Sequence, residues 1–252
     1  MGLKEPGLRG SLRNVSVEIG AIPDSAILHW PVQEGSGSTV AEVLGEISGQ
    51  SGSIQSELDW VQNSWWEDWA LSQDDGGHIL TGDWGSFGSN LTNDFTILIT
   101  VETTDTSTDF PGLIGVQNSE DETRLSVRLD DTNGYPSFRL ADVNRNVIQV
   151  AGETDIRDGG TYRLAYVKRG NSASDLEVWI NGSEDTDQEQ EDENFSNVSD
   201  FTHDVSIIGE NREGSVVRIP ESITVDNVIV CDAALSPSDI QSDYSMQPWS
   251  DD

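Results

Sequence analysis

Closely spaced carboxylates could do hydrolytic chemistry, and Glu57-Leu58-Asp59-Trp60-Val61-Gln62 comes nearest to supplying them in this chain. Retaining cleavage of a glycosidic bond needs a nucleophile and an acid/base about 5 Å apart. Gln62 stands where the second carboxyl is expected, so the pair is incomplete and the reading is non-enzymatic. His29, His78 and His203 sit in unrelated contexts and form no Ser-His-acid pattern. Asp185 to Glu193 is dense in acids but lacks the glycine at the sixth position of an EF-hand loop, and it reads as a solvated loop. Cys231 is the single cysteine, which excludes an intrachain disulfide, and its setting in VIVCDAAL predicts a small core residue.

Five of the eight tryptophans (Trp60, Trp65, Trp66, Trp69 and Trp84) fall within 25 residues. Indole faces stack on sugar rings, so Trp65, Trp66 and Trp84 are candidates for a glycan platform. Indoles also alternate into sandwich cores, and Trp66 and Trp84 suit either place. Asn14, Asn90, Asn181, Asn194 and Asn197 each begin an Asn-X-Ser/Thr sequon, a pattern that chance also produces in a chain rich in Ser and Thr.

Charge sets the context for these groups. The chain has 46 Asp and Glu against 13 Lys and Arg, a formal net charge of -33, which excludes nucleic acid as the expected partner. The acids are spread along the sequence, and lysine is reduced to Lys4 and Lys168. Short carboxylate side chains hold hydrated cations, and the self-repulsion of such a surface is screened when the Debye length falls to about 3 Å near 1 M salt. This is the composition expected of a protein adapted to high salt, the alternative being an ordinary calcium-rich extracellular protein. No apolar run is long enough to span a bilayer, and the opening MGLKEPGLRGSLRNVS has neither an apolar signal core nor a twin arginine, so synthesis in the cytoplasm without a signal peptide is expected.

The elements that must position the candidates are strands. Ala26 to Pro31, Phe95 to Val101, Leu113 to Val116, Arg124 to Leu129, Ser137 to Leu140, Thr161 to Lys168, Leu176 to Ile180, Val205 to Ile208 and Ile223 to Cys231 are enriched in β-branched and aromatic residues. Turn chemistry separates them at Asp130-Asp131-Thr132-Asn133-Gly134, Asp158-Gly159-Gly160, Arg169-Gly170-Asn171 and Asn181-Gly182. Only Ser236 to Tyr244 reads as a helix, with Ser236 as N-cap and Pro237 at the first helical position. Residues 1-22 are rich in Gly, Pro and Ser and predict an extended N-terminal arm, leaving residues 23-252 as one all-β, two-sheet antiparallel sandwich.

The order of segments resembles the laminin G-like branch of the concanavalin A-like lectin superfamily. AILHWPVQEGSGSTV (26-40) is similar to its opening strand and turn, FTILITVETTD (95-105) to its central strand, TYRLAYVKRG with DLEVWINGSED (161-185) to its paired strands, and ITVDNVIVCDAALSPSDIQSDY (223-244) to its closing strand and helix. The resemblance implies a jelly roll, and it also implies a calcium site at the sandwich edge, where the matching acids are Glu42 and Asp226. The opening arm joined to such a unit further resembles structural proteins of haloarchaeal tailed viruses and proviruses. That resemblance implies a virion appendage (capsid turret, decoration, fibre or tail) at the virion surface. The arm would bind other copies and virion proteins in a homo-oligomer, and the lectin-like unit would bind a host-surface glycan or glycoprotein. The alternatives are a cellular adhesion or glycan-binding protein and a glycoside hydrolase, since fold does not fix function.

The charge predicts that stability rises steeply between about 0.1 and 2 M KCl as repulsion is screened. A melting temperature unchanged across that range, followed by circular dichroism, would refute the high-salt reading.

Overall fold

The computed structural model describes residues 22-247 apart from 48, 56-57, 64-67, 74-75, 89-92, 107-109, 119-123, 131, 192-193, 197 and 199-200. Among the described residues the strands form two sheets. The first runs, in spatial order, β14 (Ser183–Glu184), β13 (Leu176–Ile180), β12 (Thr161–Lys168), β7 (Phe95–Thr103), β19 (Ile223–Cys231), β5 (Asp68–Gln73) and β4 (Leu58–Asn63), with β1 (Ala26–Trp30) also paired to β19. The second runs β15 (Thr186–Glu191), β11 (Val147–Gly152), β10 (Pro136–Ala141), β9 (Arg124–Leu129), β8 (Gly112–Gln117), β16 (Ser206–Ile207), β6 (His78–Leu80), β3 (Gly52–Gln55) and β2 (Thr39–Val40). A short hairpin of β17 (Glu210–Arg212) and β18 (Ser215–Val217) joins it through β8, in the one parallel pairing among the described strands. The expected antiparallel β-sandwich is the fold observed. No helix among the described residues is long and apolar enough to cross a membrane.

Alternation decides which face each strand buries. In β7, Phe95, Ile97, Ile99 and Val101 enter the core between the sheets while Leu98 points to the opposite face. β9 contributes Leu125, Val127 and Leu129 to the same core, and β12 contributes Leu164 and Tyr166. A line of rings runs through this core from Trp30 to Trp84, Phe87, Phe95, Phe138 and Tyr166, with successive centroids 6.0, 6.0, 5.6, 5.9 and 5.9 Å apart. Tight turns close the hairpins where the sequence places them: Asn181 and Gly182 both take left-handed backbone (φ 50° and 75°) between β13 and β14.

The first sheet is covered on its second face as well. Leu98, Ala165, Val167, Trp179, Ile229 and Cys231 meet Leu235 and Ile240, which belong to the closing segment and to the helix α2 spanning Pro237–Ser245, the short α1 being Gly85–Gly88. The Ser236 side chain accepts from the Asp239 N–H, and Asp239 caps Ser236 in return, so the helix starts where Ser-Pro predicts. A bulge in β19 between Asp226 and Ile229 changes its phase. Ile223 and Val225 face the core before it, Val228 and Val230 after it. This lets one strand pair with β5 through its first half and with β1 through its second.

Polar side chains hold the bulge. The Arg163 guanidinium, 2% exposed, donates from Nε and Nη2 to the two oxygens of Asp243 on α2 at 2.8 and 3.1 Å, and from Nη1 to the Asn227 carbonyl at 2.6 Å. His29 Nε2 meets Asn227 Oδ1 at 2.9 Å. Burial pushes the His29 imidazole down to about 4, outweighing the hydrogen bond with Asn227 that draws it up.

Two outcomes follow from this network. Arg163→Ala leaves the Asp243 carboxylate buried and unpaired, at a cost of about 3 to 5 kcal/mol. In a domain of this size that is a fall in Tm of roughly 6 to 20 °C in thermal melts, and a fall under about 2 °C would contradict it. His29 titrates near 6.5 when unfolded and about 4 when folded, so across that window the unfolded state holds a proton that the folded state does not. Its stabilising contribution is present above pH 6.5 and is lost as pH falls toward 4. Tm plotted against pH should therefore be flatter in that window for His29→Gln than for the parent chain, and parallel curves would refute the assignment.

Candidate functional site

The sequence candidates are dispersed. Trp84 is fully buried: its indole N–H donates to Thr81 Oγ1 at 2.9 Å, and its ring stacks on Trp30. It belongs to the inter-sheet core and has no face to offer a sugar, which corrects its place in the glycan platform. Trp65 and Trp66 lie outside the described residues. Trp60 is half-buried and donates from its indole to the Gly37 carbonyl at 3.0 Å. Glu57 also lies outside the described residues, while Asp59 and Gln62, three apart on β4, fall on opposite faces of that strand. A carboxyl at position 62 would not have faced Asp59.

Glu42 and Asp226 do not fit calcium. Glu42 Oε1 accepts the backbone N–H groups of His29 and Leu44 at 3.1 and 2.9 Å, and Oε2 accepts that of Gly45 at 2.8 Å. These donors turn the positive ends of their dipoles toward the place a cation would take, whereas calcium needs six to eight oxygen ligands. Asp226 is buried in β19 opposite Thr100. No group of three or more His, Cys, Asp or Glu side chains suited to a metal ion occurs among the described residues. Glu42 instead fixes the loop that follows β2.

A constellation that sequence reasoning did not single out lies on the outer face of the second sheet. The alternation that sends Leu125, Val127 and Leu129 inward sends Arg124, Ser126 and Arg128 outward from β9, and Ser137 and Arg139 outward from β10. Register sets Arg139 opposite Ser126 and Ser137 opposite Arg128, with Gln149 of β11 beside Arg139. Glu210 of β17 lies over this face and is almost fully buried. It accepts from Arg124 at 2.6 Å, Arg218 at 3.1 Å and Arg212 at 3.3 Å. A Cβ at Gly115 would come within 2.9 Å of Glu210 Cγ, so the glycine makes room for it. Burial opposes ionisation of Glu210, yet the charges of Arg124, Arg212 and Arg218 hold it below the usual carboxylate range. Five of the eleven arginines in the chain thus gather around one acid.

Arg128 is the exception within the cluster. It is 3% exposed, and among the described residues its Nε has no hydrogen-bond partner. Its Nη2 donates to Gln149 Oε1 at 3.3 Å, and the Phe110 ring covers its guanidinium at 4.3 Å. Arg218 lies against the same ring at 5.2 Å. Phe110 and Arg218 both adopt left-handed backbone (φ 50° and 55°), which costs of order 1 to 3 kcal/mol for a non-glycine residue. Burial first, and then the charges of Arg124, Arg139 and Arg218, push Arg128 down to about 9. Beside it opens a pocket of about 120 Å³ lined by Phe110, Arg128, Ser137, Gln149 and Gln190, with Asp130 and Ala151 completing the wall. The Asp130 carboxylate accepts the backbone N–H groups of Thr132 and Asn133 at 3.2 and 2.6 Å in its own turn.

No protein-family model matches the sequence, and no curated protein matches it. Solved structures do match. The binding domain of Paraclostridial Mosquitocidal Protein 1 superposes with a TM-score of 0.66 at 12% identity, over 88% of this chain and 52% of that one. The receptor-binding domain of botulinum neurotoxin C/D mosaic serotype gives 0.63 at 15% identity, over 90% and 52%. The ligand-binding domain of botulinum neurotoxin serotype D, solved in complex with N-acetylneuraminic acid, gives 0.59 at 14% identity, over 89% and 51%. The chain therefore spans about half the length of these structures, and what it shares with them is the fold, a lectin-like β-sandwich.

Proposed function

We propose that the chain is a non-catalytic recognition module that binds carbohydrate across the outer face of its second sheet. The observation that carries the reading is the chemistry of that face on this fold: its outward side chains are Arg, Gln and Ser, with Phe110 as an aromatic wall. Planar donors and acceptors in fixed positions, beside one ring, are what vicinal hydroxyls need for orientation. The solved domains of like fold are binding or receptor-binding domains, and one of them holds a sugar acid, which supports a binding role over a catalytic one. Asp59 and Gln62 on opposite faces of β4 speak in the same direction.

The finer reading is a virion appendage of a host living in strong salt. It rests on the acidic surface and on the resemblance of the opening arm, residues 1-22, to virion structural proteins. In that setting the arm joins the module to other copies and to virion proteins, and the sheet face meets a glycan or glycoprotein on the host surface.

The test uses the full chain in 2 M KCl, with saturable binding to halophilic host cells or their purified surface glycoprotein as the readout. Binding is expected, and enzymatic or chemical removal of the glycans should abolish it. Absence of binding by folded protein, or binding indifferent to deglycosylation, would overturn the carbohydrate reading.

A further inference from the structure

We propose that the pocket beside Phe110 seats the anionic group of an acidic sugar, a carboxylate or a sulfate, on the Arg128 guanidinium. The inference rests on the carbohydrate-binding reading of the same face and names its ligand class.

Among the described residues Arg128 makes no ion pair, although the Asp130 carboxylate lines the same pocket and Glu210 acts on it at a distance. Arg124, Arg212 and Arg218 each pair with Glu210. Arg128 is more deeply buried than these and, among the described residues, meets a ring, an amide oxygen at 3.3 Å and, at Nε, no hydrogen-bond partner. A buried guanidinium left in that state is costly unless an anion completes it, because its charge has been taken out of water. The cost is compounded by the three arginines nearby, which already depress its basicity, and an arriving oxyanion relieves that repulsion.

Size and shape narrow the ligand. The pocket, about 120 Å³, admits a group the size of a carboxylate or sulfate. The rest of the sugar then follows toward the pocket's rim. Gln149, half-exposed, and Gln190, exposed, border it there with amide groups suited to hydroxyls. Phe110 is held over the guanidinium in a backbone conformation that is unfavourable by itself, so the wall is built into the fold and does not wait for the ligand.

The net charge of -33 repels anions at a distance. At 0.1 M salt that field reaches about 10 Å, and near 1 M about 3 Å, so in strong salt the approaching group meets only the charges at the pocket itself: the arginines and the Asp130 carboxylate, whose Oδ1 already accepts the Thr132 and Asn133 N–H groups. Charge-assisted pairing at a buried site is screened far less than the surface field.

Ligand-observed NMR titration of the full chain in 2 M KCl provides the test, with D-glucuronate, D-glucose 6-sulfate, D-glucose and inorganic sulfate as probes. Glucuronate or the sulfate ester should bind at least about tenfold tighter than glucose, and inorganic sulfate should displace it. Arg128→Gln should remove that preference. Gln149→Glu keeps the buried cation and offers it an internal carboxylate. That variant should remain folded and lose at least about tenfold in affinity for the acidic sugars.

Equal affinity for acidic and neutral sugars would overturn the proposal, as would unchanged acid binding by either variant at unchanged Tm. Binding of inorganic sulfate without competition from either sugar acid would reduce the site to one for free anions, and it too would overturn the proposal. If the acidic preference is absent while glycan-dependent binding to cells persists, the seat is wrong and the carbohydrate reading stands. If binding to cells is lost as well, both fall.

Discussion

The bulge in β19 is the constraint on which the arrangement of both faces of the first sheet depends. A strand that kept strict alternation from Ile223 to Cys231 would send Val228 and Val230 to the wrong side of the sheet. The extra residue re-phases it, and β1 can then add Leu28 and Trp30 to the same core that β5 enters with Leu71. The bulged carbonyl at Asn227 needs a donor, and Arg163 supplies one from a guanidinium whose other nitrogens grip Asp243. The hydrogen bond that completes a backbone irregularity therefore also docks α2, which in turn closes the small apolar cluster around Leu98 and Trp179.

The same use of arginine recurs across the molecule. Cations are scarce, and several that might have offset surface charge are instead buried: Arg124, Arg128, Arg163 and Lys168. Arginine suits this because its planar fork satisfies two acid oxygens and a carbonyl together, as Arg163 does, and because it stacks on rings, as Arg128 and Arg218 do on Phe110. Apart from buried acids such as Glu210 and Asp243, many of the carboxylates are left to the solvent. The apolar core must then outweigh their mutual repulsion, and salt eases that requirement by screening the surface while leaving the buried pairs largely intact.

Much of the fold was legible in the sequence wherever one face of a strand is buried against another sheet. FTILITVET, RLSVRL and TYRLAYVK announce β7, β9 and β12 by composition, and Ser236-Pro237 announces α2. β16 falls inside the Val205 to Ile208 run, whereas β17 and β18 are three residues long and exist through pairing with β8 and with each other, so no local pattern could reveal them. β4 and β5 were hidden by polar and indole residues that looked like a site. Trp84 was ambiguous for a plain reason: an indole is equally able to stack on a sugar or on Trp30. Its place is decided by contacts remote in sequence, among them the Gln50 side chain that accepts its backbone N–H from 34 positions away. The spacing of Arg124 and Arg128 puts both on one face, which the sequence does display. What gives the spacing meaning is the arrival of Phe110, Glu210 and Arg218 from elsewhere in the chain.

A cationic island inside an anionic shell makes recognition a short-range affair. Long-range steering, which raises association rates where charges are complementary, is absent here for an acidic ligand and is unfavourable in dilute salt. On the proposed reading, discrimination comes from contact: a buried guanidinium and a ring fixed over one of its faces. Such a site rejects a neutral sugar by leaving its own cation unsatisfied, which is a penalty and not merely a missing attraction. It also resists the surrounding salt better than an exposed arginine would, since a hydrated chloride that enters must shed water without offering the two oxygens that the fork is shaped to hold. On the proposed reading, burying the recognising charge lets an ionic contact remain selective in concentrated electrolyte.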